Sequence, residues 1–194
     1  MDRFQFMTKF KLFAIIFVSL ISNSIMGQRN ESQPYKVLQN LGDLEIRFYP
    51  SAMMAKTKAN TGSPFSTLFR YISGANQTNE KIEMTTPVYM YPEDGTSAME
   101  FVLPKKYMRQ NPPTPSGNNV EIYESKPGYF AVVRYGGYSN TSRVKLHTDR
   151  LMVEIQKHDL KVISKPVVLS YDSPYKVMNR RNEILVEISY TNED

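Results

Sequence analysis

A chain of 194 residues without a single cysteine has no disulfide, no thiolate ligand for a metal or a heme iron, and no c-type heme attachment. Its net charge of +5 is modest and scattered. No basic block interleaved with aromatics offers the phosphate-tracking surface that nucleic-acid binding requires.

The first segment is a leader rather than part of a fold. Arg3, Lys9 and Lys11 precede the apolar run Leu12–Ile21, and small or polar Ser22, Asn23, Ser24 and Gly27 follow. A basic flank, an apolar run and a small-residue zone together read as a secretory signal peptide over residues 1–27, with cleavage near Met26–Gln28. The run falls short of the ~20 residues of a bilayer span. The mature chain, residues 28–194, is therefore expected to be exported, periplasmic or secreted, with no integral membrane span. Its length suits one domain with a core of its own.

Leu44, Ile46 and Phe48 alternate with Glu45, Arg47 and Tyr49, the period of a strand with one face buried and the other in water. A helix is expected next, with Ser63 as N-cap and Pro64 at its first position, where a missing N–H costs nothing. Phe65, Leu68, Phe69 and Ile72 share one face, and Gly74 ends it. Lys81–Tyr91 (KIEMTTPVYMY) and Met99–Phe101–Leu103 follow as strands. After the Pro/Gly/Asn-rich joint Asn111–Asn119 the order returns: Val120–Ile122 leading into Phe130–Val132, then a second helix from Thr141 or Ser142 with Val144, Thr148, Leu151, Ile155 and His158 in one stripe. A degenerate copy of the strand motif, Lys161–Tyr171 (KVISKPVVLSY), and Ile184–Val186–Ile188 complete it. An internal repeat outranks any local motif as a guide to architecture. The expected fold is α+β: duplicated strand–helix–strand–strand units, over about residues 35–110 and 119–190, form a distorted antiparallel β-barrel of about eight strands flanked by two helices.

Ile82–Val88 (IEMTTPV), Phe101–Pro104 (FVLP), Pro112–Pro115 (PPTP) and Tyr171–Ile184 (YDSPYKVMNRRNEI) resemble, in order and spacing, the signature segments of the SOUL heme-binding family. The resemblance covers roughly Tyr35 to Ser189 and implies the same duplicated fold, shared with effector-binding domains of multidrug regulators. It also implies a heme or metal-free porphyrin ligand, held non-covalently. In members that ligate iron, the resemblance points to a histidine in a first-strand run like EIRHY. Here Glu45–Ile46–Arg47–Phe48–Tyr49 puts Phe48 there, and Phe48 cannot ligate iron. The alternative implied mode is a shallow apolar groove beside the first helix, walled by Phe65, Leu68 and Phe69, with Arg70 and Lys176 facing the propionates. Apolar walls take a macrocycle while cations pair carboxylates. By periodicity alone the same residues also read as a helix packed on its sheet, with Arg70 and Lys176 solvated.

His147 and His158 are eleven residues apart on the second helix, about 16 Å along its axis, so they cannot share a metal. Either could serve as a lone axial ligand, but each reads more readily as a capping or surface residue, and the methionines read as packing. No nucleophile elbow, H-E-x-x-H or phosphate loop is present. Glu83, Glu100 and Glu183 are expected on the solvated strand face, unless one lines the groove with a tyrosine such as Tyr89 as a buried acid or base; an Arg–Glu pair is expected to clamp the turn Asn179–Glu183. The favoured reading is a non-catalytic domain for a small amphipathic ligand, a tetrapyrrole above all. A small-molecule hydrolase on the same scaffold and a protein-interaction module are the alternatives. The sequence leaves the oligomeric state open.

Overall fold

The computed structural model describes residues 30–58, 63–93 and 96–191; the leader expected over residues 1–27 lies outside them. Strands β1 (Lys36–Leu41), β2 (Leu44–Tyr49) and β3 (Met53–Lys58) lead to helix α1 (Pro64–Ile72) and then to β4 (Val88–Glu93) and β5 (Thr96–Val102). A 3-10 turn (Lys105–Met108) and the joint precede β6 (Glu121–Glu124), β7 (Gly128–Tyr135), α2 (Thr141–Lys157), β8 (Lys161–Val162), β9 (Val167–Ser170) and β10 (Asn182–Ser189).

Hydrogen bonds order the strands β1-β2-β7-β10-β9-β4-β5-β3-β6, with β8 beside β10, and every strand pair is antiparallel. Two ends to that path, β1 and β6, mean that the sheet curls without closing, so the expected eight-stranded barrel is corrected to an open ten-stranded sheet. Without β1 and β8 the order reads the same from either end about the β4–β9 pair, as a duplicated unit requires. That pair is centred on Tyr89↔Leu169, with Val88↔Ser170 and Met90↔Val168 on either side. The two residues are equivalent positions of the repeated sequence motif.

The helices pack on one face of the sheet, α1 against β3 and β5, α2 against β7 and β10. Under α2 lie Leu44, Ile46, Val133, Leu151, Ile155, Ile184 and Val186. Under α1 lie Ala55, Leu68, Tyr71, Ile72, Phe101 and Leu103. Each fully buried aliphatic side chain there contributes about 1.5–3 kcal/mol. Ser63 enters α1 in extended conformation, with Pro64 following, although its hydroxyl makes no cap bond. Gly74 leaves the helix at φ +112, a conformation costly for any residue with a Cβ. Asn76, almost fully buried, then donates to the carbonyls of Tyr71 and Glu80. The Tyr71 hydroxyl donates to Pro113 O at 2.8 Å, tying the joint to α1. The cap of α2 is Asn140, one residue before the expected start; its Oδ1 accepts the Arg143 N–H at 2.9 Å.

The opposite face is not solvated. Arg47, Tyr49, Glu100 and Glu183 are all at most 3% exposed, against the expectation that Arg47, Tyr49 and these glutamates would face water. The reason is the curl. Tyr91 on β4 and Tyr123 on β6 both donate to Glu100 Oε2, at 3.0 and 2.8 Å, though their strands are three positions apart in the sheet, about 14 Å if it were flat. Glu83, by contrast, is exposed.

Candidate functional site

Among the described residues, cavities open around α1, around α2, and at an apolar recess of about 370 Å³ lined by Gln33, Ala52, Met53, Val102, Leu103 and Met108. Inside the curl most of the buried polar groups bond one another, although Glu100 Oε1 has no hydrogen-bond partner among the described residues. Glu183 accepts Arg47 Nη1 at 2.8 Å, Arg181 Nη2 at 2.7 Å and the Tyr171 hydroxyl at 2.8 Å. Burial raises this carboxyl's pKa, but the bonds and charges of Arg47 and Arg181 outweigh it and hold the group below its ordinary value. The expected clamp is thus Arg181–Glu183, while Arg180 instead donates to the carbonyls of Ser173 and Lys176. Glu100 Oε1 lies 3.2 Å from Lys56 Nζ. The segment 31–35 runs beside the entry to β4: Gln33 N–H donates to Thr86 O, and Gln33 Oε1 accepts the Tyr89 hydroxyl at 2.6 Å. Burial first, then the proximity of Tyr49, keeps Tyr89 protonated far above its usual range.

Around α1 the sequence-predicted residues separate. Leu68 is 0% exposed, a core residue that supports the helix from behind and cannot touch a ligand. Phe65 and Phe69 are 37% and 49% exposed. Their rings stack at 5.8 Å with 13° between planes, and Phe65 meets Phe101 edge-on at 5.5 Å. One turn of helix spacing makes that stack possible. Arg70 is exposed too, but about 100° further round the axis than Phe69. It borders a cavity of about 230 Å³ shared with Thr67, Pro115 and Val120, below the roughly 300–1,000 Å³ of small-molecule sites. Lys176 sits in the loop 171–181, paired with Asp172 at 2.6 Å. That loop also exposes Tyr175, Val177 and Met178. It leaves the sheet beside the start of β4, because Ser170 pairs with Val88. The end of α1 is held near the same lead-in by the Ile82 N–H to Ile72 O bond.

Phe48, which stands where the resemblance places an iron-ligating histidine, is half-buried and packs its ring on Tyr129 at 5.3 Å. Among the described residues no group of three or more acidic or histidine side chains could hold a metal ion, and no helix is long and apolar enough to cross a membrane.

Residues 30–187 match the model of the SOUL heme-binding protein family. The chain belongs to that family. It is 29% identical over 161 residues to heme-binding protein 2 of Homo sapiens, covering 74% of this chain and 77% of that one. It is 25% identical over 183 residues to heme-binding protein 1 of Xenopus tropicalis, covering 85% and 95%. Among solved structures the SOUL fold here is similar to the EcmrR C-terminal domain, with a TM-score of 0.54 at 12% identity, covering 81% of this chain and 99% of that one. A hydrolase from Listeria innocua is similar at a TM-score of 0.53 and 7% identity, covering 78% and 94%. At such identities the likeness concerns the fold alone. Within the segment Tyr171–Ile184, sequence reasoning singled out Lys176 but not the exposed apolar residues beside it. Tyr175, Val177 and Met178 interrupt a polar turn with no periodicity, and that irregularity was the available signal.

Proposed function

We propose that the chain is an exported, non-catalytic carrier of a tetrapyrrole, heme or metal-free porphyrin, bound on the outer surface beside α1. The observation that carries this reading is the exposed Phe65–Phe69 stack on a helix inside the family match. A macrocycle laid on that stack removes apolar surface from water, worth about 25 cal/mol per Å². Leu68 holds the stack from beneath. Arg70, round the crest of the helix, and Lys176, released from Asp172, would pair the propionates; loop 171–181 would supply a second apolar wall. With Phe48 in place of an axial histidine, the iron is not what the groove grips, so hemin and metal-free protoporphyrin should bind it alike. The leader Met1–Gly27 supports export by its charge and apolar pattern.

The test is a titration of the mature protein with protoporphyrin, followed by absorbance and fluorescence quenching. Phe69→Asp should weaken binding more than about tenfold, since it sets a charge on the apolar wall. Arg70→Glu and Lys176→Glu should each cost roughly threefold to fivefold, and more salt should weaken binding further by screening. Binding indifferent to all three substitutions would overturn the groove.

A further inference from the structure

Sequence reasoning treats His147 as a boundary residue of α2, but its surroundings are those of a ligand site. Its ring stacks on Tyr135 at 4.3 Å with 14° between planes. Tyr135 is itself buried, its hydroxyl shared with Ser139 Oγ at 2.7 Å, so the imidazole rests on a fixed support. Stacking occupies a face of the ring and leaves its edge, where the nitrogen lone pair lies, open. Among the described residues neither ring nitrogen has a hydrogen-bond partner. Burial, then the charges of Arg150 and Arg143, draws the imidazole's pKa below its ordinary value, favouring the neutral form that ligates metals.

His147 lines an open cavity of about 550 Å³ together with Arg134, Arg150, Leu146 and Val153. Leu146 and Val153 expose about half or more of their surface, an apolar crest that nothing covers. The cavity also has carboxylates, but Asp149 is paired with Lys145 at 2.8 Å and Glu154 with Lys157 at 3.4 Å. Asp43, in the β1–β2 turn, is the third. Arg134 and Arg150 have no ion-pair partner among the described residues. A lone imidazole does not hold a free metal ion. It can complete the coordination of an iron that a macrocycle already holds through four nitrogens. The Arg150 guanidinium beside an apolar crest then suits that macrocycle's carboxylates and its face.

We infer that the α2 cavity is a second tetrapyrrole site, selective for iron porphyrin, with His147 as the iron ligand and Arg150 as a carboxylate partner. The inference rests on the tetrapyrrole reading above and adds a site on the other half of the sheet. His147 would supply a ring-nitrogen lone pair to the iron of a bound ferric porphyrin, replacing a water or anion with no change in oxidation state.

The test is parallel titration of wild type, His147→Ala, Arg150→Glu and Phe69→Asp with ferric hemin and with protoporphyrin, read by the Soret spectrum and electron paramagnetic resonance. The expected result is an imidazole-ligated hemin signature that persists in Phe69→Asp and vanishes in His147→Ala. Protoporphyrin binding should be unchanged in His147→Ala. Arg150→Glu, a surface change that leaves the core intact, should weaken the ligated component by about fivefold. The same hemin spectrum in wild type and His147→Ala overturns the second site. If Phe69→Asp alone then abolishes binding, the α1 groove survives and only this inference fails. If no tetrapyrrole binds the wild type at all, both fail.

Discussion

Each half of the curled sheet buries one glutamate on the face away from the helices, and the two are served differently. On β10, Glu183 takes Arg47 from β2, Tyr171 from the end of β9, and Arg181. On β5, Glu100 takes Tyr123 from β6, Tyr91 from β4, and Lys56 from β3. The strand order makes β2 the counterpart of β6 and β9 the counterpart of β4. The tyrosine beside each carboxylate is thus kept, while the far strand offers a guanidinium in one half and a phenol in the other. A buried carboxylate with two guanidinium partners is a permanent internal ion pair. One with two phenols and a single ammonium, 28% exposed, is held by weaker donors. In both halves the chain's own tyrosines and basic side chains meet the buried carboxylate, but Glu100 Oε1 is left without a hydrogen bond among the described residues.

The largest effect should come from breaking the stronger cluster. Arg47→Met removes one partner of a pair that is almost wholly out of water, and should cost about 3–5 kcal/mol of stability in urea unfolding followed by circular dichroism. Next comes pH. Because Glu183's carboxyl titrates below its ordinary value, the stabilisation it brings is fully present above the unfolded pKa of about 4.3. It is lost as pH falls through the lower folded value. The stability gap between wild type and Glu183→Gln should therefore be constant near neutrality and narrow below about pH 4. A gap that widens on acidification would reverse the sign. The smallest change belongs to the other half: Tyr123→Phe takes one hydroxyl from Glu100 and should cost about 1–2 kcal/mol.

This asymmetry was only half legible in the sequence. The alternation Leu44–Ile46–Phe48, Pro64 and Gly74 around α1, and the eighty-residue echo all carry local signals, because a strand's period and a helix's ends are written in neighbouring residues. Whether a strand's second face meets water depends on how far the sheet curls, which is set by partners as distant as Arg47 and Glu183. So Arg47, Tyr49, Glu100 and Glu183 read as solvated and are buried. The same limit applies to the site. Periodicity groups Leu68 with Phe65 and Phe69, but the helix turns Leu68 into the core and sets Arg70 on another flank. His147's cavity is invisible to spacing, since Tyr135 and Arg134 come from a strand.

Protoporphyrin titration of Phe69→Asp and Tyr123→Phe side by side tests the central claim, that the ligand sits outside on α1 and not within the curl. The account predicts that Phe69→Asp loses more than about tenfold in affinity while Tyr123→Phe binds as the wild type does. Weakened binding in Tyr123→Phe with wild-type affinity in Phe69→Asp would put the ligand inside the sheet and contradict it.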